Sequence, residues 1–253
     1  VVLLHGFTGC GGNWTPLVQA LQSNHEVITI DLPGHGQTTA SDNPADYTIE
    51  RTAEALVQIF AVLNLAPVHL LGYSMGGRLA LYFALTYPHL LRALILESAS
   101  PGLDSAIARA NRRTQDNALA DRIEQFGVEA FVNHWEAIPL FATQAQLPPE
   151  ARHTLRQQRL KNTPTGLANS LRGMGTGVQP SLWDRLPELT LPTLILTGAL
   201  DHKFTEIAQR MVAYIPNAQH HIIPNAGHTL HLEQPQAYFK QIQGFLQTLS
   251  QHP

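Results

Sequence analysis

Leu70-Leu71-Gly72-Tyr73-Ser74-Met75-Gly76-Gly77-Arg78 changes its period in the middle. Ahead of the glycine runs the strand-like Val68-His69-Leu70-Leu71, and behind it Leu79, Ala80, Phe83 and Ala84 recur at helical spacing. Strand, sharp turn and helix in so few residues place Ser74 at the tip of an elbow, in a strained conformation, with its hydroxyl held out into a cleft. Small residues are needed at Gly72 and Gly76 because the two backbones approach closely there. The bare G-x-S-x-G pattern also arises by chance in a chain with 18 glycines, so the flanking strand and helix are what single out this copy.

Working outward toward the N-terminus, Val1-Val2-Leu3-Leu4 reads as a buried parallel strand that opens into the loop His5-Gly6-Phe7-Thr8-Gly9. A short helix over 14–21, a second buried strand over 27–30 and the turn Asp31-Leu32-Pro33-Gly34-His35-Gly36 follow, and Thr48 caps a helix over 49–63. Toward the C-terminus a strand covers 93–96. After Ser98 the rhythm changes, and from Pro101 to about Asp184 amphipathic helices replace any strand pattern. Strands return at 192–198, feeding Asp201, and at 220–223, feeding the loop Pro224-Asn225-Ala226-Gly227-His228; a helix to Tyr214 separates them, and Pro235 opens a terminal helix that ends near Leu249. Alternation of this kind builds a mostly parallel sheet with helices on both faces. The expected architecture is one α/β core, residues 1–99 and 189–253, interrupted by a helical cap at 100–188.

A length of 253 residues suits one such core with its insertion. With 44% hydrophobic residues, 14% charged and a formal net charge of -3, the chain has no basic field, which excludes nucleic acid as the expected partner. Cys10 is the only cysteine, so no disulfide forms within the chain and no thiolate pair exists for structural zinc. No apolar run reaches the roughly 18 residues of a membrane span. These features fit a cytoplasmic protein with no membrane partner. The chain opens abruptly on a strand, which leaves room for residues ahead of Val1.

Three polar residues fall at the expected carboxyl ends of strands, in the order Ser74, Asp201, His228. That order is the one used by the α/β-hydrolase fold. His228 takes the Ser74 proton, and Asp201 fixes the imidazole tautomer and stabilises its positive charge. The backbone amides of Phe7 and Met75 are the expected oxyanion donors. Glu97 and Asp104 follow an earlier strand and are rival acids, whereas His231 and the His220-His221 pair read as surface or strand residues. Without carboxylates at ligand spacing, no metal or other cofactor is expected. Arg78 lies one helical turn beyond Ser74, where a guanidinium reaches the cleft. A neutral ester gains nothing from that charge; a substrate bearing carboxylates gains a bidentate ion pair. Arg112 and Arg159 in the cap add to it, although a solvated helix face is the plainer reading of any single cap arginine. The expected partner is therefore a small anionic molecule with several carboxylates. A ligand receptor built on the same fold has no need to keep all three triad members. Oligomeric state is not legible.

Several segments resemble one family, the 2-succinyl-6-hydroxy-2,4-cyclohexadiene-1-carboxylate synthases of menaquinone and phylloquinone biosynthesis. They are His5-Gly6-Phe7-Thr8-Gly9, the turn 31–36, Gly72 to Arg78, Glu97-Ser98-Ala99-Ser100-Pro101-Gly102-Leu103, Ser170 to Gly177 with Gln179-Pro180, and Asp201-His202-Lys203-Phe204. The first three are shared with many α/β-hydrolases; the cap segments and Asp-x-Lys-Phe are more specific. The resemblance implies a lyase that removes a proton from a cyclohexene bearing succinyl, enolpyruvyl and carboxylate groups and expels pyruvate. It implies a triad of Ser74, Asp201 and His228, an oxyanion hole at Phe7 and Met75, carboxylate contacts at Arg78, Arg112 and Arg159, and a pocket shared by Tyr73, Trp135 and Lys203. The family's segment ahead of the first glycine-rich loop is short or missing here. A carboxylesterase or carbon–carbon bond hydrolase on the same triad is the competing reading.

Overall fold

Among the described residues six strands form one parallel sheet because their apolar residues alternate between two faces that are both covered by helices. In this computed structural model, which describes residues 1–65 and 67–251, the strands are β1 (Val2–Leu4), β2 (Ile28–Ile30), β3 (Val68–Tyr73), β4 (Leu91–Glu97), β5 (Thr193–Gly198) and β6 (Ala218–Ile223). Ala66, His252 and Pro253, which fall inside the core segments expected at 1–99 and 189–253, lie outside the described residues. The order across the sheet is β2-β1-β3-β4-β5-β6, every pair parallel. The helices are α1 (Thr15–Leu21), α2 (Ile49–Val62), α3 (Met75–Thr86), α4 (Ala106–Trp135), α5 (Pro149–Leu160), α6 (Pro164–Met174), α7 (His202–Val212), α8 (Leu230–Glu233) and α9 (Pro235–Gln251).

Leu70 and Leu94 point into the layer filled by α2, α3 and α7, while Leu71 and Ile95 point into the layer filled by α1 and α9. All four are fully buried, each contributing about 1.5–3 kcal/mol. Thr48 caps α2 as expected, its hydroxyl accepting from the Arg51 amide at 3.3 Å. One strand departs from expectation. β2 reads as buried from its apolar sequence, yet Thr29 is exposed and Ile28 and Ile30 are only half-buried, because β2 is the sheet's edge.

Between β4 and β5 no strand occurs among the described residues. This segment packs through its own apolar seam, Ala120, Ile123 and Val132 of α4 against Leu167, Ala168 and Leu171 of α6. Polar ties hold it over the strand ends: Asn162 Nδ2 donates to the Thr8 carbonyl at 3.0 Å, and Asn13 Nδ2 donates to Gln158 Oε1 at 2.6 Å. α4 is broken at Gly127, whose φ of +80° favours glycine.

Candidate active site

Ser74 sits between β3 and α3 at φ 50° and ψ -105°, a conformation costly for any residue with a side chain. Neighbouring strand ends hold it there. The Ser74 amide donates to the Glu97 carbonyl at 2.9 Å, and the Gly76 amide to the His5 carbonyl at 3.1 Å. A Cβ on Gly76 would stand 2.5 Å from that same carbonyl, so the close approach of helix to strand requires glycine.

His228, in the loop after β6, presents Nε2 to Ser74 Oγ at 3.0 Å, and its Nδ1 donates to Asp201 Oδ2 at 2.7 Å. With the Nδ1 proton engaged, Nε2 is free to accept the serine proton. Asp201 ends the β5 turn and caps α7, its Oδ1 accepting from the Phe204 amide at 3.3 Å. The carboxylate is therefore held at both oxygens. Asp201 and His228 are buried, and the three side chains form one hydrogen-bonded chain across the carboxyl ends of the sheet. Glu97 and Asp104 stand elsewhere: Asp104 meets Arg210 at the surface at 3.5 Å, and Glu97 pairs with His231.

The chain of three opens on a cavity of about 390 Å³ that is continuous with solvent. Phe7 and Met75 line it, and neither backbone amide is engaged by another protein group among the described residues. Met75 is the first residue of α3, so its amide also carries the positive end of that helix. Arg78 and Arg112 line the same cavity. Arg78 Nη1 donates to Gln179 Oε1 at 2.7 Å, and Arg112 Nε donates to Asp116 Oδ1 at 2.7 Å. Burial, and then the proximity of Arg112, push Arg78 down to about 10, against the pull of Asp116, so it stays charged at neutral pH. Arg78 and Arg112, with Lys203 on the same wall, leave the cavity poised to receive an anion.

The α/β hydrolase fold family model matches residues 1–235. A Bacillus subtilis protein, provisionally named a 2-succinyl-6-hydroxy-2,4-cyclohexadiene-1-carboxylate synthase, is 47% identical over 98% of this chain and 90% of its own length. The Photorhabdus laumondii protein of that synthase name is 35% identical over 97% of this chain and 84% of its own. The chain belongs to this synthase family. The solved structure of MenH from S. aureus superposes with a TM-score of 0.95 at 41% identity, covering 98% of this chain and 93% of that one.

Of the positions the synthase resemblance adds, Tyr73, Trp135 and Lys203 line the Ser74 cavity. Arg159 does not. It is buried in a smaller adjoining cavity, where Nη1 donates to Glu136 Oε1 at 3.2 Å, Nη2 donates to Gln144 Oε1 at 3.0 Å, and the guanidinium lies 5.3 Å from the Phe141 ring centre. Phe7, Tyr73 and Phe141 separate the two spaces by lining both. His231, expected at the surface or in a strand, is instead buried in a helix against Trp14 and Tyr73, because the short α8 folds it back under the site. Glu233 was not legible: its carboxylate accepts the amides of Gly227 at 2.6 Å and Thr229 at 3.1 Å, clasping the backbone on either side of His228. A carboxylate that binds backbone leaves no motif.

Proposed function

We propose that this chain is a lyase that expels pyruvate from 2-succinyl-5-enolpyruvyl-6-hydroxy-3-cyclohexene-1-carboxylate, in menaquinone or phylloquinone biosynthesis in the cytoplasm. The observation that carries the reading is one cavity holding both the Ser74–His228–Asp201 chain and two arginines. Ser74, relayed through His228, takes the ring proton next to the succinyl carbonyl. The electrons collect on that carbonyl oxygen, where the amides of Phe7 and Met75 stabilise the enolate, each by about 3 kcal/mol. Collapse of the enolate shifts the ring double bond and breaks the carbon–oxygen bond to the enolpyruvyl group. The departing enolate takes back a proton at carbon and leaves as pyruvate, so the ring gains one double bond and no redox partner is needed. Arg78 and Arg112 hold the carboxylates, and residues 100–188 act as the cap over the reacting ring. Arg159 joins the carboxylate contacts through a rearrangement of its Glu136 and Gln144 bonds.

An esterase on the same triad would instead form an acyl-enzyme at Ser74, visible as a burst with an activated ester. Elimination needs no covalent bond. The enzyme is mixed with a chromogenic acetate and, separately, with the anionic enolpyruvyl substrate, and phenolate and pyruvate are followed. Pyruvate release with no burst is expected, because an uncharged ester leaves the arginines unpaired. Stoichiometric acylation with fast ester turnover and no pyruvate would overturn the lyase.

A further inference from the structure

Glu97, the last residue of β4, has no solvent exposure and yet carries a carboxylate. Its main-chain oxygen accepts the Ser74 amide at 2.9 Å. Its side chain accepts from the His231 amide at 3.2 Å, and His231 Nδ1 donates to its two oxygens at 2.8 and 3.0 Å. One residue thus binds the elbow through its backbone and, three positions after His228, the histidine loop through its side chain. A second tie runs parallel to it: the hydroxyls of Tyr73 and Thr229, the neighbours of Ser74 and His228, meet at 2.9 Å.

The need for such a tie follows from the strand order. Ser74 leaves β3, whereas His228 follows β6, with β4 and β5 lying between them. The histidine loop must therefore reach back across two strands, and Asp201 restrains only the ring. Glu97 does not line the Ser74 cavity. We infer that Glu97 is a positioning residue that locks the His228 loop onto the Ser74 elbow through His231. The inference rests on His228 acting as the base that serves Ser74. Burying a carboxylate is costly unless it is paired and hydrogen-bonded, and apolar side chains of similar volume would fill the same core without that cost. What an apolar pair cannot supply is direction: three hydrogen bonds fix both the height and the rotation of the loop.

The test compares Glu97→Ala with Glu97→Gln, whose carboxamide oxygen still accepts from His231, and reads kcat and KM for pyruvate release together with proton NMR. The downfield proton shared by His228 and Asp201 is assigned by its loss in Asp201→Asn, and its exchange with water reports how firmly the loop is held, whatever reaction the site performs. Glu97→Ala is expected to lower kcat about 10- to 100-fold with KM within about threefold, the scale of a misplaced reacting group, and to speed exchange of that proton at least about tenfold. Glu97→Gln is expected to return kcat to within about fivefold of the parent. If Glu97→Ala does not fold, Glu97→Asp, one methylene short of the ring, carries the test with an expected loss of at least about fivefold in kcat. A folded variant that keeps the parent's kcat and the parent's exchange rate would overturn the inference. Absence of pyruvate from the parent enzyme would overturn the elimination instead, and the His228 proton would still report on Glu97.

Discussion

Two histidine–carboxylate pairs, whose histidines lie three residues apart in the chain, nearly match in geometry. His228 Nδ1 meets Asp201 at 2.7 Å and His231 Nδ1 meets Glu97 at 2.8 Å, and all four side chains are buried. Their surroundings differ. The far nitrogen of His228 reaches Ser74 at the wall of a cavity with Arg78 and Arg112, while the His231 ring is held 4.6 Å from the Trp14 ring centre and 4.9 Å from that of Tyr73. A well-made hydrogen bond therefore does not mark a reacting group. Contact with a strained nucleophile does.

The sharpest way to break this contrast is to remove the charge from each pair in turn. Asp201→Asn preserves the shape but favours the wrong tautomer of His228, and kcat should fall by up to about 10⁴. Glu97→Gln should cost far less, because His231 has no Ser74 to serve. A steady-state comparison of the two variants that ranked them the other way would reverse the assignment.

The cavity's charge sharpens the same contrast. Arg78→Ala should lower kcat/KM by about 2–3 kcal/mol, the scale of a desolvated charge-assisted contact, and Arg78→Lys should restore only part. The fold should survive, since among the described residues the Arg78 guanidinium bonds only Gln179. Unchanged kinetics in Arg78→Ala would leave the His228 pair with no electrostatic distinction from its neighbour.

A third kind of buried histidine, one without a carboxylate partner, extends the comparison to stability. His5 donates Nδ1 to the Gly6 carbonyl at 2.8 Å and accepts the Leu32 amide at Nε2 at 3.0 Å, so it holds the Phe7 loop against the next turn as a neutral ring. Burial pushes His5 down to about 4, and burial together with His5 pushes His35 down to about 3. Both values lie below that of an unfolded histidine, so the unfolded chain takes up protons that the folded chain refuses. Their contribution is whole above pH 6.5 and is lost as the pH falls toward the folded values. At pH 5 the loss should be about 2 kcal/mol for each histidine, read as a shift in urea midpoint from pH 7, and His35→Gln should remove about half of it. Equal midpoints at the two pH values would mean that these rings are not held neutral.

Much of the fold is legible because its signals are local. The change of period around Gly72, the cap at Thr48 and the loss of strand pattern after Ser98 each depend on residues close in sequence, and the structure has the matching elements. The order Ser74, Asp201, His228 is legible for the same reason, since each follows a strand or precedes a helix that declares itself.

Partnership is different. Read as sequence, Glu97, Asp104 and Asp201 are three acids following strands, and nothing near any of them says which histidine it meets. The choice depends on strand order, which sets Asp201 under the loop from β6 and Glu97 beside the elbow. Likewise β2 is apolar enough to be central and becomes an edge only because, among the described residues, no strand lies beyond it. Arg159 carries the same lesson, its guanidinium drawn to Glu136 and Gln144 by contacts 15 to 23 residues away in the chain. Periodicity is a property of neighbours in the chain, so the sequence by itself determined the elements and the identity of the polar groups at their ends. Pairing, burial and access to the cavity are properties of neighbours in space, and only the folded sheet decided them.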